Sequence, residues 1–307
     1  MAKYLVTGGC GFIGSHLCER LLGAGHEVRV LDDLSNGKRE NIPRQEILIV
    51  GNVADAATVR AAMAGMDGCF HLAAVASIQR SIEDWLGTHA TNLTGAITVF
   101  DAARSHGRIP VVYASSAAVY GDNPALPLDE AAVTRPLSAY GADKLGCELH
   151  ARVATLVHGV PTTGFRFFNV FGPRQDPDSP YSGVISIFTR RLMNQEALTV
   201  FGDGLQSRDF IYVGDVVDYL TSAMQQPALR ERVLNVCTGQ ATTLRDLIAT
   251  LGELLDITPV VRLQPSRIGD IRESLGSPEL CRQTLGCAKK TSLREGLAAT
   301  MAFISSK

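Results

Sequence analysis

The stretch KYLVTGGCGFIG, residues 3–14, decides how the rest of this chain is read. KYLVTG (3–8) is a short apolar run of strand type, and residues 12–23 carry the apolar spacing of a helix. Between them Gly8, Gly11 and Gly14 recur at intervals of three. Glycine there permits a tight turn and a close backbone approach, and the helix N-terminus behind it favours an anion. Alone, such a turn is weak evidence, because a strand–helix connection that binds nothing can use the same glycines. The next strand supplies the context. EVRVLD (27–32) ends in an acid 18 residues after Gly14. A carboxylate at that distance suits the ribose hydroxyls of a dinucleotide whose pyrophosphate rests on the helix. The charge of Asp32 repels a 2′-phosphate, which predicts NAD over NADP. Asp33 can share this role, since either carboxylate can point inward. Lys38 and Arg39 stand nearby, in what reads as exposed loop.

Working outward, strand-like runs recur at EILIVGN (46–52), GCFHLAA (68–74), IPVVYASS (109–116) and TTGFRFFNV (162–170). Helical patterns near 55–64, 89–105 and 140–158 separate them. This alternation predicts an α/β chain, a Rossmann-type doubly wound parallel sheet covered on both faces. After residue 170 the texture changes. FGPRQDPDSPYSG carries three prolines and reads as loop, followed by helices near 183–194 and 214–225 and a strand at 232–237. The expected division is 1–168 plus about 212–237 as the dinucleotide-binding domain. About 169–211 plus 238–307 then form a smaller, discontinuous α/β substrate domain.

Composition narrows the function. The 307 residues are 46% hydrophobic and 20% charged with a net charge of −2, so no nucleic-acid-binding surface is advertised. Seven cysteines without a CxxC fit reduced thiols in a cytoplasmic protein. The histidines form no HExxH, so no metal is expected. The chain opens directly into KYLVTGG with no basic or long apolar leader, and the expectation is neither signal peptide nor membrane span.

SAYGADKL (138–145) places Tyr140 one helical turn before Lys144. Residues four apart share a helix face, with Cβ atoms roughly 5–6 Å apart. A cation that close favours the phenolate, as a general base requires. A surface Tyr and Lys that merely share a face would look the same in isolation.

The glycine spacing, Ser116 in SSAAVYG and the Tyr140/Lys144 pair together resemble the extended short-chain dehydrogenase/reductase family, over nearly the whole chain. Within it, RFFNVFGPRQDP, GDGLQSRDFIYVGDV and RIGDIRESLGSPE resemble UDP-sugar 4-epimerases, particularly those acting on N-acetylated sugars. The resemblance implies NAD as coenzyme, Tyr140 as base, Lys144 as its electrostatic partner and Ser116 as the hydroxyl orienting the reacting oxygen. It implies coenzyme contacts from Gly8, Gly11, Phe12, Ile13 and Gly14, and from Asp32, Asp33, Ser35, Asn36 and Gly37. Asn52, Val53, Leu72, Ala73, Ala74, Asn92, Tyr140, Lys144 and Phe167 complete that set. For a UDP-sugar it implies Ser77, Ser116, Tyr140, Asn169, Val184, Thr199, Phe201, Arg208, Arg267, Asp270 and Ser274. Arginine forks at 208 and 267 suit a diphosphate.

Two departures stand out. Asn52-Val53 replaces the common Asp plus apolar pair, although an Asn carbonyl still accepts the adenine amino group. HLAAVASIQRS lacks a lysine that some relatives place near the coenzyme phosphates. The resemblance makes the reaction an inversion at C4 through a transient 4-keto sugar, without net redox. Ala117 and Ala118 follow Ser116 where dehydratases carry acids, which argues against water elimination. A uronate decarboxylase or epimerase, a 4,6-dehydratase and a non-catalytic NAD-binding scaffold are the alternatives. Ser274 stands where a tyrosine restricts relatives to glucose and galactose, so its small side chain implies room for an acetamido group. The resemblance also implies a homodimer through a four-helix bundle, using Leu93, Ile97 and Val99 on one helix and Leu145, Leu149, Val153 and Leu156 on the other.

Overall fold

In chain order the first half runs β1 (Lys3–Thr7), α1 (Phe12–Gly23), β2 (Glu27–Asp32), β3 (Ile47–Val50), α2 (Ala56–Met63), β4 (Gly68–His71), α3 (Ile78–Glu83), α4 (Trp85–His89), α5 (Gly95–Ser105), β5 (Val111–Ser116), α6 (Ala139–Leu156) and β6 (Thr162–Phe167). The second half runs β7 (Asn169–Phe171), α7 (Val184–Met193), β8 (Leu198–Phe201), β9 (Ser207–Tyr212), α8 (Val213–Met224), β10 (Arg232–Val236), β11 (Ala241–Thr243), α9 (Leu244–Leu255), β12 (Val261–Gln264), β13 (Glu273–Ser274), α10 (Glu279–Leu285) and α11 (Leu293–Ser305). This computed structural model describes residues 1–43, 47–177, 183–226, 231–266, 271–287 and 290–306.

Seven parallel strands form the large sheet in the order β10-β6-β5-β4-β1-β2-β3. Its cause is visible in successive residues. Val6, Val30, Phe70 and Val112 enter the apolar layer under α1 and α8, while their neighbours Leu5, Leu31, Cys69 and Val111 enter the layer under α2, α5 and α6. A strand buried on both faces needs such an unbroken apolar run. Strand order reverses at β1, between β2 and β4, and at such a switch point the carboxyl ends of the strands open a crevice. Six of the seven cysteines are buried. A third cluster, including Phe171, Phe188, Leu198, Leu247 and Leu297, holds a smaller lobe together around α7, β8, α9 and α11.

Two elements differ from the sequence reading. TTGFRFFNV is two strands, not one: β6 stays in the large sheet, and β7 pairs with β9 in a separate four-stranded sheet. The break falls at Phe168, whose N–H still bonds Val236 O while its buried ring packs with Tyr120, Leu128 and Cys237. A continuous apolar run cannot reveal that its last residues serve another sheet. The helix expected from 89 begins at Trp85, capped by Asp84 Oδ1, and passes through a π-helical turn at Ala90–Thr94. Among the described residues, no helix is long and apolar enough to cross a membrane.

Candidate active site

A cleft of about 1140 Å³ crosses the carboxyl ends of β1, β2, β4, β5 and β6 and continues along β7, β9 and β13. Its first wall is the glycine turn. Gly8 has φ 70°, and a Cβ there would sit 2.7 Å from Ala73 N. A Cβ on Gly14 would lie 2.2 Å from Gly8 O, so the turn closes only around glycine. No side chain caps α1 at Gly11, which leaves its first-turn N–H groups to an anion. Phe12 and Ile13 line the same wall.

Asp32 is 7% exposed. Its Oδ2 accepts from Cys10 N–H and its Oδ1 from Leu34 N–H, both at 2.9 Å. Burial pushes its carboxyl above the ordinary range, opposed by those two hydrogen bonds. Asp33 is exposed and accepts from Ser35 N–H. Both carboxylates border the cleft, with Asp32 seated in the wall. Lys38 is not a bare loop cation, since its Nζ lies 2.9 Å from Asp176 Oδ2. Ser35, Asn36, Gly37, Val53, Leu72, Ala73, Ala74 and Phe167 also line this end.

On the floor, Ser138 caps α6 by accepting from Gly141 N–H, so Tyr140 stands in the first turn and Lys144 one turn later. Lys144 is 3% exposed, its Nζ donates to Ala114 O at 2.9 Å and lies 5.9 Å from the Tyr140 ring centroid. Ser116 ends β5, where its Oγ accepts from Ala118 N–H at 3.1 Å and keeps its own proton to donate. All three border the cleft. Behind them, His71 Nδ1 lies 2.8 Å from Thr7 Oγ1, which accepts from Ala73 N–H. Burial, and secondarily the nearby Lys144 charge, push His71 down to about 3. The imidazole is therefore neutral. In the sequence His71 is one polar residue in an apolar run, which carries no signal of this role.

At the far end Asn169, Arg208 and Ser274 line the cleft, as does Ser77, which caps α3. Ser274 pairs in register with Arg208 and is half-buried, facing the cleft. Other residues lie elsewhere. Asn52 is exposed and its Oδ1 accepts from Ala54 N–H, leaving Val53 alone at the wall. Asn92 is buried behind the cleft, where its amide bonds both the N–H and the C=O of Val75. Its effect on the cleft passes through that backbone. Val184, Thr199 and Phe201 are not among the lining residues. Arg267 and Asp270 lie outside the described residues. The cleft also gathers Arg80, Gln175, Arg190 and Arg174, the last at φ 68° and paired with Glu19. Arg174 and Gln175 fall in a stretch that reads as loop, Arg190 in one that reads as helix, and Arg80 in one that carries no local pattern. Among the described residues, no group of three or more His, Cys, Asp or Glu could hold a metal.

The profile of the NAD dependent epimerase/dehydratase family matches residues 4–237. The chain is 36% identical over 312 residues to a UDP-glucose 4-epimerase of Mycolicibacterium smegmatis, covering 99% of each. It superposes with a TM-score of 0.94 on the UDP-glucose 4-epimerase of Thermotoga maritima solved with UDP-glucose, at 34% identity and 99% of both chains. A TM-score of 0.94 and 34% identity also relate it to the UDP-N-acetylglucosamine 4-epimerase of Methanobrevibacter ruminantium, solved with UDP-N-acetylmuramic acid, over 99% and 98% of the two chains.

Proposed function

Because this chain belongs to the NAD dependent epimerase/dehydratase family, we propose a specific activity for its cleft: interconversion of UDP-GlcNAc and UDP-GalNAc, with UDP-Glc and UDP-Gal as further substrates. The protein is an NAD-dependent UDP-sugar epimerase, an isomerase. The observation that carries the reading is one floor holding Ser116, Tyr140 and Lys144 between a glycine-lined anion cradle and the small side chain of Ser274.

The cradle fits NAD, because its glycines leave room for a pyrophosphate and Asp32 stands at the ribose position. When bound there, NAD supplies the acceptor that takes hydride from C4 and returns it. The chain's residues do the rest. Tyr140 acts as the general base that takes the proton from the sugar 4-hydroxyl, and Lys144 supports it from one turn away on the same helix face. Ser116 donates a hydrogen bond that orients the oxygen. Asn169 and Arg208 would hold the diphosphate while the 4-keto sugar turns over, so that hydride would return to C4 from the opposite face and Tyr140 would return the proton to O4. Ala117 and Ala118 offer no proton-moving group for elimination. We assign the coenzyme-binding domain to residues 1–168 plus about 212–237 and the UDP-sugar-binding domain to about 169–211 plus 238–307, with Ser116 and Tyr140 of the first domain reaching the sugar.

The same reading includes a dimer. Leu149, Val153 and Leu156 on α6 are 60%, 45% and 58% exposed, and Ile97 on α5 is 38% exposed. Val99, in contrast, is fully buried in the chain's own core and does not belong to that face. A monomeric mass in solution at micromolar concentration sinks the dimer.

The activity is tested by incubating the protein and NAD with UDP-GlcNAc, UDP-Glc and UDP-glucuronate separately, then resolving the products. Conversion of UDP-GlcNAc to its C4 epimer is expected. Exclusive conversion of UDP-glucuronate, or a dehydrated product, overturns the proposal.

A further inference from the structure

Beneath the three floor residues lies a buried ionic network that their chemistry does not use. The Glu148 and Arg166 side chains are each 7% exposed. Arg166 Nε and Nη2 donate to the two carboxylate oxygens of Glu148 at 2.9 and 2.7 Å. Arg166 Nη1 donates to the Tyr120 hydroxyl at 2.8 Å and to Glu130 O at 3.1 Å, and the guanidinium lies 4.8 Å from the Tyr120 ring centroid. The Tyr120 hydroxyl in turn reaches Asn235 Oδ1 at 2.7 Å, and Glu148 accepts from the Ser115 hydroxyl.

Such a pair is poorly explained as a source of stability. Desolvating two charges offsets most of their attraction, and apolar residues of similar volume often serve as well. What an ion pair adds is direction, because each bond is satisfied in only one relative placement of the groups that carry it. The placement here concerns the catalytic floor. Tyr140, Lys144 and Glu148 follow at intervals of four on α6 and so share one stripe. Ala114, Ser115 and Ser116 are consecutive on β5. Lys144 holds the Ala114 carbonyl and Glu148 holds the Ser115 hydroxyl, so two bonds from one stripe set the register of α6 on β5. Alternation along the strand turns Ser115 toward α6 and leaves Ser116 to the cleft. Arg166 extends the hold to β6 and, through Tyr120 and Glu130, to the segment that follows Ser116.

We infer that the Glu148–Arg166 pair is a positioning device that sets the separation between the Ser116 hydroxyl and the Tyr140 phenol. This rests on the epimerase reading for its kinetic consequence, and on the network alone for its geometric one.

The test uses the full chain with NAD. Glu148→Gln keeps the shape but removes the charge. It should lower kcat about 10–100-fold, the cost of misplacing reacting groups by about 1 Å, and leave KM and NAD affinity within about threefold. Combined with Ser116→Ala, it should add less than about threefold to the loss from Ser116→Ala alone, because both changes remove one interaction. Losses that multiply, or an unchanged kcat, overturn the inference. If Glu148→Gln does not fold, Ser115→Ala removes only the β5 leg and is judged by the same two measures, with a smaller expected loss of about 3–10-fold. Should the unmutated protein turn over no UDP-sugar, the epimerase reading fails separately. Crystal structures of the unmutated protein and Ser115→Ala then decide. A change of about 0.5 Å or more between Ser116 Oγ and Tyr140 Oη supports the inference, and an unchanged separation overturns it.

Discussion

At the proposed coenzyme end of the cleft the backbone does most of the work, whereas at the proposed sugar end side chains do. The first end is a turn of three glycines, an uncapped helix start and a buried Asp32 that itself holds two backbone N–H groups. These three features come from residues 8–34, around one βαβ unit. The proposed sugar end is lined by Ser77 at the cap of α3, Asn169 from β7, Arg208 from β9 and Ser274 from β13. Its second sheet pairs β9 with β7, β11 and β13, strands far apart in the chain. A backbone site tolerates little variation, because an added Cβ meets main-chain atoms that cannot move aside. A side-chain site is retuned one residue at a time. The comparison predicts that chemistry and coenzyme choice belong to the rigid end and substrate choice to the adaptable one.

The largest effect tests the junction between the ends. Tyr140→Phe should lower turnover by about 10²–10⁴-fold, the usual worth of a general base, while coenzyme affinity stays unchanged. Near-normal turnover would remove Tyr140 from the mechanism and break the division of labour. Next in size is a change confined to the sugar end. Ser274→Tyr should suppress UDP-GlcNAc and UDP-GalNAc more than the plain sugars by about 5–150-fold, the equivalent of overpacking by about 1–3 kcal/mol. Equal loss on both pairs of substrates means that Ser274 is not the gate.

At the coenzyme end, Asp32→Asn is the informative change, because alanine would strip the acceptors from Cys10 and Leu34 N–H as well. Removing the charge should narrow the preference for NAD over NADP by about 10-fold, one charge-assisted hydrogen bond's worth. Equal affinity for both coenzymes in the unmutated protein would contradict the role of Asp32. The smallest effect concerns pH. His71 falls from an ordinary 6.5 to about 3 in the fold, so the unfolded chain takes up a proton that the native one refuses. Its contribution to stability is therefore complete above pH 6.5 and declines as the pH falls toward 3, by up to about 1.4 kcal/mol per pH unit. Urea unfolding at pH 7, 6 and 5 should show a shallower decline for His71→Gln, and identical slopes would exclude the ring as the titrating group.

Much of this was legible in residue order. Glycine spacing, an acid at the end of the second strand, and Tyr140 one turn before Lys144 are local patterns. Their physics lies within one strand–turn–helix or one helical turn, so nothing distant can alter it. Ser116 was legible by resemblance, through its place at the end of an apolar strand. What sequence left open was decided by long-range packing. Both acids of the Asp32-Asp33 pair suited the ribose, and burial against Cys10 and Leu34 selected the wall position. TTGFRFFNV read as one strand because apolar runs carry no mark of the sheet they join. Phe168 left the first sheet because its ring fills a pocket formed by Tyr120, Leu128 and Cys237. Val99 looked like interface until the sheet beneath it covered it. Glu148 and Arg166 stand 18 residues apart and carry no local signature. Their meeting under Ser115 depends on α6, β5 and β6 stacking together, and the cost of burying a charge without its partner makes that meeting obligatory.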